Sequence, residues 1–384
     1  MNKVMLAWVS MLVGMIGCTA GDTRRGDIFI ERLFGPELPG PYKHPASITE
    51  LDNGDLYVAY YCGSDEYGDD TAVWGSRRPA GSRRWTRPTP IADAPWRSEG
   101  NPVVWQAPDG LVWLFYVVRY GETWSTSRIL AKISRDGART WSDPILVAME
   151  EGMMVRAHPI VLTTGEYLVP VYHETGHDRE WVGTDTCSLF LRYDPKKHTF
   201  KPTGRIHSRL GNLQPSVVQL SEKHLVAYCR RGGGFEPRTD GYLVRSESHD
   251  GGNTWSPGVD SDFVNPNSAA DFIKLRNGHL LLVFNDSMND RTPLTAAVSM
   301  DQGRTWPFKR NLIAGDDAFA YPSAIQTRDG RIHVVFTSHE RTVVQHAVFD
   351  EEAITGAARQ GSADRTRRRW EQGTVGRVDQ GAAS

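Results

Sequence analysis

Six polar side chains recur along the chain at an almost constant interval, and their types could bind a ligand or transfer protons. Successive members lie 57, 57, 56, 54 and 53 residues apart: His44, Asn101, His158, Gln214, Ser268 and Tyr321. Further polar residues follow them: Glu66, Asp70, Arg119, His173, Glu174, Arg230, Asn285, Asp286, Arg291, His339 and Arg341. Carboxylates and imidazoles can act as acids or bases, and arginines can pair with a carboxylate. Gathered in one place, they could carry out acid–base chemistry on a ligand.

Each of the six positions opens a unit of similar design. The unit reads as an apolar run, a polar turn such as DNG, PDG or RNG, and a second run rich in Val, Leu, Tyr and Phe. Five openings are X-Pro pairs, whereas Ser268 lacks the proline in register. Six units of about four strands each predict an all-β fold, a six-bladed β-propeller. The alternative, a β-sandwich, does not explain the even spacing.

A propeller would place these side chains together. The start of the innermost strand of each blade lines the central channel, so the six opening residues should form a ring around it. The second set lies at the far ends of the second strands and in the loops that follow, which also reach inward. The sequence therefore predicts one site on the channel axis.

A second repeat is the eight-residue pattern S-x-D-x-G-x-T-W. It occurs at 134–141, 248–255 and 299–306, and the first copy has Ala138 where the others have Gly. The pattern predicts a hairpin turn in which Ser and Asp accept from turn amides, Gly takes a positive φ, and Trp packs under the hairpin. The structural residues are Asp136, Asp250, Asp301, Trp141, Trp255 and Trp306.

This pattern resembles the Asp-box of the sialidase (neuraminidase) superfamily, and the chain looks like the bacterial predicted neuraminidases that carry BNR (Asp-box) repeats. The resemblance covers roughly residues 27–350. It implies a propeller of sialidase type, with boxes between the third and fourth strands of a blade and away from the active site. It also implies that the N-terminal strand, at about residues 27–35, completes the last blade.

The family uses three arginines for the substrate carboxylate, a Tyr nucleophile paired with a Glu, and an Asp acid/base. Arg230 ends a segment beginning Gln-Pro that looks like the family segment of the second arginine. Arg291 begins a segment running into an Asp-box, as the third arginine does. Tyr321 lies in Ala-Tyr-Pro-Ser, which looks like the segment of the nucleophile. Asp70, before Thr-Ala-Val-Trp, is the best match for the acid/base.

Two positions depart from the family pattern. Lys43 stands where the first arginine is expected, and it keeps the charge but loses the bidentate geometry. Gln214 aligns with the Glu that activates the Tyr, and an amide cannot take a proton. Glu174 on the neighbouring blade is a possible substitute, and Glu66 is a further carboxylate candidate for catalysis.

The resemblance implies an exo-acting glycoside hydrolase that cleaves terminal sialic acid or a related acidic sugar from glycans. Two alternatives stay open: another glycan-cleaving enzyme, including a uronate lyase, and a non-catalytic glycan-binding propeller. The catalytic candidates are Tyr321, Asp70, Glu66 and Glu174. The substrate-binding candidates are Arg230, Arg291, Lys43, His44, Gln214, Asn101, His158, His173, Asn285 and Arg341.

The two ends of the chain differ from its body. Lys3, the 14-residue apolar stretch Val4 to Gly17, and small residues before Cys18 resemble an export signal with a bacterial lipobox. We therefore expect a signal peptide over 1–18 with lipid on Cys18, a linker over 19–26, the propeller over 27–352 and a disordered tail over 353–384. This predicts an exported lipoprotein at the cell envelope, held to the membrane only by its lipid. The alternative is a secreted or periplasmic protein.

Composition narrows the partners. The net charge of -2 gives no basis for nucleic-acid binding, for which a basic patch would be expected. Apart from Cys18 the chain has Cys62, Cys187 and Cys229, so at least one thiol must be free, and no Cys/His spacing indicates a metal site. We expect no cofactor and a glycan or sugar acid as the partner.

Overall fold

The computed structural model describes residues 25–37, 39–179 and 181–356. Apart from a short 3₁₀ turn at Trp124–Thr126 and a helical turn over 351–356, their regular structure is β-strand. The strands form six antiparallel sheets, each a blade of a six-bladed β-propeller. The prediction of an all-β, six-bladed β-propeller is confirmed.

Each blade runs from the axis outward in chain order. Blade 1 contains β2 (Tyr42–Glu50), β3 (Leu56–Gly63), β4 (Ala72–Arg78) and β5 (Thr89–Ala92). Blade 2 contains β6 (Glu99–Gln106), β7 (Val112–Arg119), β8 (Ser127–Ser134) and β9 (Ile145–Leu146). Blade 3 contains β10 (Met153–Val155), β11 (Ile160–Val161), β12 (Tyr167–His173), β13 (Cys187–Asp194) and β14 (Thr199–Pro202).

The second half follows the same plan. Blade 4 contains β15 (Asn212–Gln219), β16 (Leu225–Arg231), β17 (Tyr242–Ser248) and β18 (Val259–Val264). Blade 5 contains β19 (Asp271–Lys274), β20 (Leu280–Asn285), β21 (Leu294–Ser299) and β22 (Phe308–Ile313). Blade 6 contains β23 (Ala320–Gln326), β24 (Ile332–Ser338), β25 (Val343–Phe349) and, as its outermost strand, β1 (Phe29–Phe34).

The N-terminal strand closes the ring. β1 pairs antiparallel with β25, with Phe29 opposite Val348 and Ile30 opposite Ala347. The last blade is thus assembled from both ends of the propeller sequence, as the resemblance implied. β1 thereby covers the outer edge of β25, which would otherwise be exposed.

A bulge at the X-Pro pair shapes four of the inner strands, β2, β6, β15 and β23, and in the last three the residue before the proline is left-handed. Asn101, Gln214 and Tyr321 have φ of +46°, +52° and +57°, and at each the pairing register with the second strand shifts. Left-handed backbone is uncommon for residues other than Gly and concentrates at functional sites. In blade 5 the left-handed residue is Asn267, at +58°, and the inner strand begins only at Asp271.

Neighbouring blades are fastened at the other end of the inner strands. A Gln or Glu at this end accepts a hydrogen bond from a backbone amide in the turn of the preceding blade. The pairs are Gln106 with Asp52, Gln219 with Thr163, Gln326 with Arg276, and Glu50 with Arg328, the last of which joins blade 1 to blade 6. The core between blades is apolar, as where Tyr228 of blade 4 packs edge-on against Phe272 of blade 5 with ring centroids 5.0 Å apart.

The described residues end inside a packed segment. Residues 351–356 form a helical turn, and Ala353 and Ile354 are fully buried against the core of blades 5 and 6. The packed body therefore continues past residue 352, where we had expected it to end. The predicted signal peptide, Cys18 and most of the predicted linker and tail lie outside the described residues. No helix in the described part is long and apolar enough to cross a membrane.

Candidate active site

The pocket lies at the mouth of the central channel where the inner strands begin. Its volume is about 60 Å³, and it is lined by side chains from several blades. The lining residues are His44, Tyr61, Glu66, Tyr67, Asn101, Trp124, Met154, Tyr172, Glu174, Arg179, Val182, Leu213, Gln214, Arg230, Phe235, Arg291, Tyr321 and Arg341. A larger cavity of about 520 Å³ opens at the opposite end of the channel, but it holds none of the three arginines described next.

Three arginines from different blades surround one tyrosine. Arg230 lies at the end of β16, Arg291 in the loop between β20 and β21, and Arg341 in the loop between β24 and β25. The guanidinium carbons of Arg230 and Arg291 lie 5.8 and 5.6 Å from the ring centroid of Tyr321. Burial, reinforced by the charge of Arg230, lowers the pKa of Arg291 to about 10, so it stays charged at neutral pH.

The Tyr321 hydroxyl receives two hydrogen bonds. Nη1 of Arg230 donates to it at 2.7 Å, and the Gln214 amide donates to it at 3.3 Å. Burial alone would raise the pKa of this phenol, but Arg230, Arg291 and Arg341 together lower it below the usual value. Two donors and three nearby cations favour the phenolate.

Two carboxylates line the pocket with different surroundings. Glu66 accepts from the Tyr42 hydroxyl at 2.8 Å and from Trp124 Nε1 at 3.2 Å, and it forms an ion pair with Arg341. This pairing outweighs burial and raises the pKa of Arg341. Burial raises the pKa of Glu174 to about 7. Glu174 can therefore hold or release a proton near neutral pH, as a general acid must.

Four of the six ring residues expected at the channel mouth line the pocket, His44, Asn101, Gln214 and Tyr321, whereas His158 and Ser268 do not. The centroid of the His44 ring lies 4.1 Å from the centroid of the Tyr321 ring, and His44 Nδ1 is 2.8 Å from the Thr337 hydroxyl oxygen. Burial holds the pKa of His44 well below its usual value, so the imidazole is neutral. Asn101 donates to the Tyr172 hydroxyl at 3.0 Å.

Lys43 does not take the place of a third arginine. Its side chain is fully buried, and its Nζ donates to the Gly40 carbonyl outside the pocket. Successive residues of a strand point to opposite sides, so His44 faces the pocket and Lys43 does not. Arg341 supplies the third guanidinium, and its carbonyl accepts from the Lys43 backbone amide at 2.7 Å.

Four further candidates lie outside the pocket lining. Asp70 accepts from the Ser64 hydroxyl at 2.7 Å in an exposed loop. Nε2 of His173 lies 3.6 Å from Oε1 of Glu150. Asn285 is fully buried, where it accepts from Ser268 at 2.7 Å and donates to the Phe319 carbonyl at 2.9 Å. His158 lies in the break between β10 and β11 and lines the larger cavity at the other end of the channel.

Sequence reasoning missed several polar residues at the site, of which Tyr172, Asn267 and Arg156 have the most direct contacts with the candidates. Tyr172 lies two residues before Glu174, and strand alternation from Glu174 would have found it. Asn267 accepts from Arg230 Nε at 2.7 Å and from Arg291 Nη2 at 3.2 Å, so it sets the spacing of two arginines. Its only signal is its position one residue before Ser268.

Arg156 is the third of these missed residues. It reaches from blade 3 to blade 6, where Nη2 donates to the carbonyls of Tyr321 at 2.6 Å and Pro322 at 2.9 Å. Its guanidinium carbon lies 5.4 Å from the Tyr321 ring centroid, and the side chain is 3% exposed. A buried cation thus lies directly against the tyrosine, and no local motif indicates it.

The Asp-boxes form the predicted turns at the opposite end of the blades. They lie between the third and fourth strands of blades 2, 4 and 5. In the second box, Asp250 accepts from the Thr254 amide at 2.9 Å and the Thr254 hydroxyl at 2.6 Å. Asp136 and Asp301 do the same, and Trp141, Trp255 and Trp306 pack on apolar clusters. No box residue lines the pocket.

Comparison with known structures supports the fold. A Hadza microbial sialidase is 16% identical, with a TM-score of 0.68 over 82% of this chain and 66% of that one. A protein of unknown function from Dyadobacter fermentans is 15% identical, with a TM-score of 0.70 over 84% and 99%. The intramolecular trans-sialidase from Ruminococcus gnavus is 13% identical, with a TM-score of 0.66 over 84% and 97%. No curated protein sequence matches the chain significantly.

A family model places the chain more directly. The model described as a BNR repeat-like domain matches residues 54–334, which cover most of the propeller. The match runs from the first turn of blade 1 to the second strand of blade 6. The chain therefore belongs to the BNR repeat-like domain family, and its six-bladed propeller is similar in fold to those of the solved sialidases.

Proposed function

We propose that this protein is an exo-acting glycoside hydrolase of sialidase type, which removes a terminal sialic acid or a related acidic sugar from glycans. The observation that carries the proposal is the convergence of Arg230, Arg291 and Arg341 on Tyr321, with Arg230 bonded to the hydroxyl at 2.7 Å. Guanidinium groups match the geometry and charge of a carboxylate. The structural neighbours described as sialidases agree with this assignment.

Tyr321 would act as the nucleophile. In this substrate class the anomeric carbon carries a carboxylate, which would repel a carboxylate nucleophile more than a phenolate. The phenolate oxygen forms a bond to the anomeric carbon as the glycosidic C–O bond breaks. The leaving oxygen takes a proton, and water then attacks the same carbon and releases Tyr321.

Glu174 is the best-placed acid/base in this scheme. It lines the pocket, and burial raises its pKa to about 7, so a large share of it carries a proton at neutral pH. Glu66 is engaged by Arg341, and Asp70 lies outside the pocket. Glu174 would protonate the leaving group and then take a proton from the attacking water.

A second candidate is eliminative cleavage of a uronate. That reaction needs an arginine clamp for the carboxylate and a base that takes the proton from the carbon beside it. The centroid of the neutral His44 ring lies 4.1 Å from the centroid of the Tyr321 ring, so either group could act as this base.

A third candidate is a propeller that binds glycans without cleaving them. Gln214 supports it, because a Gln in place of the Glu cannot take a proton from Tyr321.

A turnover assay separates these activities. The wild type and Tyr321→Phe would be assayed with two kinds of substrate. Fluorogenic sialosides report hydrolysis, and uronate oligomers report eliminative cleavage. We expect sialoside turnover in the wild type and a loss of at least two orders of magnitude in Tyr321→Phe. Products with the absorbance of an unsaturated uronate would support the lyase. Binding to sugar acids without any cleavage would support the non-catalytic propeller.

We further propose that the protein is exported and anchored by lipid on Cys18. The support is the sequence alone: an apolar stretch that is too short to span a bilayer, followed by small residues and Cys18. Labelled palmitate should enter the wild type but not Cys18→Ala. Labelling of both, or release of an unlabelled wild type into the medium, would contradict the lipid anchor.

A further inference from the structure

Three potential metal ligands converge at the Asp-box end of blade 4, and none of them lines the pocket. Among the described residues, the imidazoles of His224 and His249 and the carboxylate of Glu247 place one ligand atom each within 4.8 Å of the others. Nε2 of His224 lies 2.6 Å and Nε2 of His249 lies 3.7 Å from Oε2 of Glu247. Both imidazoles thus point the same kind of nitrogen at one carboxylate oxygen.

Hydrogen bonds and ion pairs hold Glu247 and His224, whereas the side chain of His249 is 73% exposed. Oε1 of Glu247 is bonded to Arg245 Nη1 at 2.7 Å, which leaves Oε2 directed at the histidines. The two imidazole rings stack with centroids 4.7 Å apart. His249 lies within the second Asp-box, where the hydrogen bonds of Asp250 hold the turn.

We propose that His224, Glu247 and His249 form a site for a divalent transition metal, best suited to Zn²⁺. Two imidazole nitrogens and one carboxylate oxygen are ligands that Zn²⁺ takes in proteins, and a water would complete the tetrahedron. At Zn–ligand distances of about 2.0–2.1 Å, tetrahedral ligand atoms lie roughly 3.3 Å apart. The observed separations of 2.6 and 3.7 Å bracket that value and differ from it by about 0.7 and 0.4 Å.

The site would be a clamp rather than a reaction centre. His224 belongs to the turn between β15 and β16, whereas Glu247 and His249 lie at the end of β17 and in its Asp-box. A metal ion would cross-link these two turns of blade 4. The positive charge of Arg245 opposes a second cation nearby, so we expect micromolar rather than tighter affinity.

Titration of the tag-free, EDTA-treated full chain with ZnCl₂ tests this directly. We expect one Zn²⁺ per chain and a rise in Tm with added Zn²⁺, because a ligand that binds only the folded state stabilises it. Co²⁺ at the same site should give the visible bands of a four-coordinate N/O complex. His224→Asn and His249→Asn should each weaken Zn²⁺ binding by at least roughly tenfold and abolish the Tm rise.

A matched control comes from blade 5. His279 also pairs with a carboxylate, Glu351, at 2.5 Å, but within the part of the chain that the structure describes it belongs to no three-ligand cluster. His279→Asn should leave Zn²⁺ affinity unchanged. Absence of binding to the wild type, or equal binding by wild type, His224→Asn and His249→Asn, would overturn the proposal. Because the test measures metal binding and Tm, its outcome does not depend on the proposed hydrolase activity.

Discussion

Nη1 of Arg230 lies 2.7 Å from the hydroxyl oxygen of Tyr321, and Gln214 donates to the same oxygen from 3.3 Å. Both neighbours of this oxygen are donors, so the arrangement favours negative charge on it. A carboxylate at position 214 would activate the phenol by taking its proton. Here arginine charge lowers the pKa of Tyr321 despite burial, which offers a different route to a nucleophilic phenolate.

The arginine cluster should hold the substrate carboxylate. Arg230→Ala or Arg291→Ala should weaken binding of a sugar acid by about 1.5–3 kcal/mol, the scale of hydrogen bonds to charged groups. Calorimetric titration measures the change. Lys43→Met is the control, because Nζ of Lys43 bonds to Gly40 outside the pocket. A loss for Lys43→Met as large as for the arginines would argue against this clamp.

Activity should fall as pH rises through about 7. Glu174 must carry a proton to act as the acid, and its pKa of about 7 means that the proton is lost above that pH. Glu174→Gln should lose turnover of a natural glycan but keep the first step on an aryl glycoside, the rapid release of the aryl group, because that leaving group needs no acid. The pH–rate profile with both substrates measures this.

Asp70→Asn serves as the comparison for Glu174→Gln. Hydrogen bonds from Ser64 lower the pKa of Asp70, which therefore cannot account for a decline near pH 7. The Asp70→Asn profile should keep the same alkaline limb as the wild type. A limb that vanishes in Asp70→Asn but persists in Glu174→Gln would assign the acid to Asp70.

Arg156 should position Tyr321 and contribute charge beneath it. Arg156→Met removes both hydrogen bonds to the backbone of blade 6 and one buried cation. We expect kcat to fall by about tenfold or more with a smaller change in KM, and the pH at which Tyr321 becomes active to rise. Arg156→Lys keeps the charge and should restore the pH profile. Equal profiles for wild type and Arg156→Met would exclude this role.

The Asp-boxes should matter for stability and not for catalysis. Asp250→Ala leaves the amides of Asn253 and Thr254 without their acceptor and should lower the free energy of unfolding by about 1–3 kcal/mol. Denaturant unfolding measures this loss. Substrate affinity per folded molecule should not change, since Asp250 is remote from the pocket. Unchanged stability with lost affinity would disprove the structural role.

The fold could be predicted from the sequence because the residues that open each blade and the Asp-box turns repeat along the chain. The even interval from His44 to Tyr321 reflects one inner strand per blade, and each Asp-box is a local turn whose bonds span four residues. The break in the inner strand of blade 3 and the late start of β19 were not accessible. β19 begins late in the one blade that lacks the X-Pro pair. Blade 3 keeps its X-Pro pair, yet its inner strand is broken at that point, so the pair alone does not predict an unbroken strand.

The site was accessible in part for the same reason. Tyr321, Arg230, Arg291 and Arg341 follow from blade position, because strand ends at the channel mouth must face the axis. Lys43 was misplaced because alignment to a motif overrode strand alternation. Arg156 and Asn267 could not be found, since their contacts join residues from different blades and no local spacing encodes them.

A covalent trap on Tyr321 is the most direct test of the central claim. A fluorinated sugar acid with a good leaving group should form a stable bond to the nucleophile of a retaining enzyme. After digestion, peptide mass spectrometry should find the added sugar on the peptide that contains Tyr321, and Tyr321→Phe should remain unlabelled. Labelling of Glu174, Glu66 or Asp70 instead, or inactivation of Tyr321→Phe at the wild-type rate, would contradict the account.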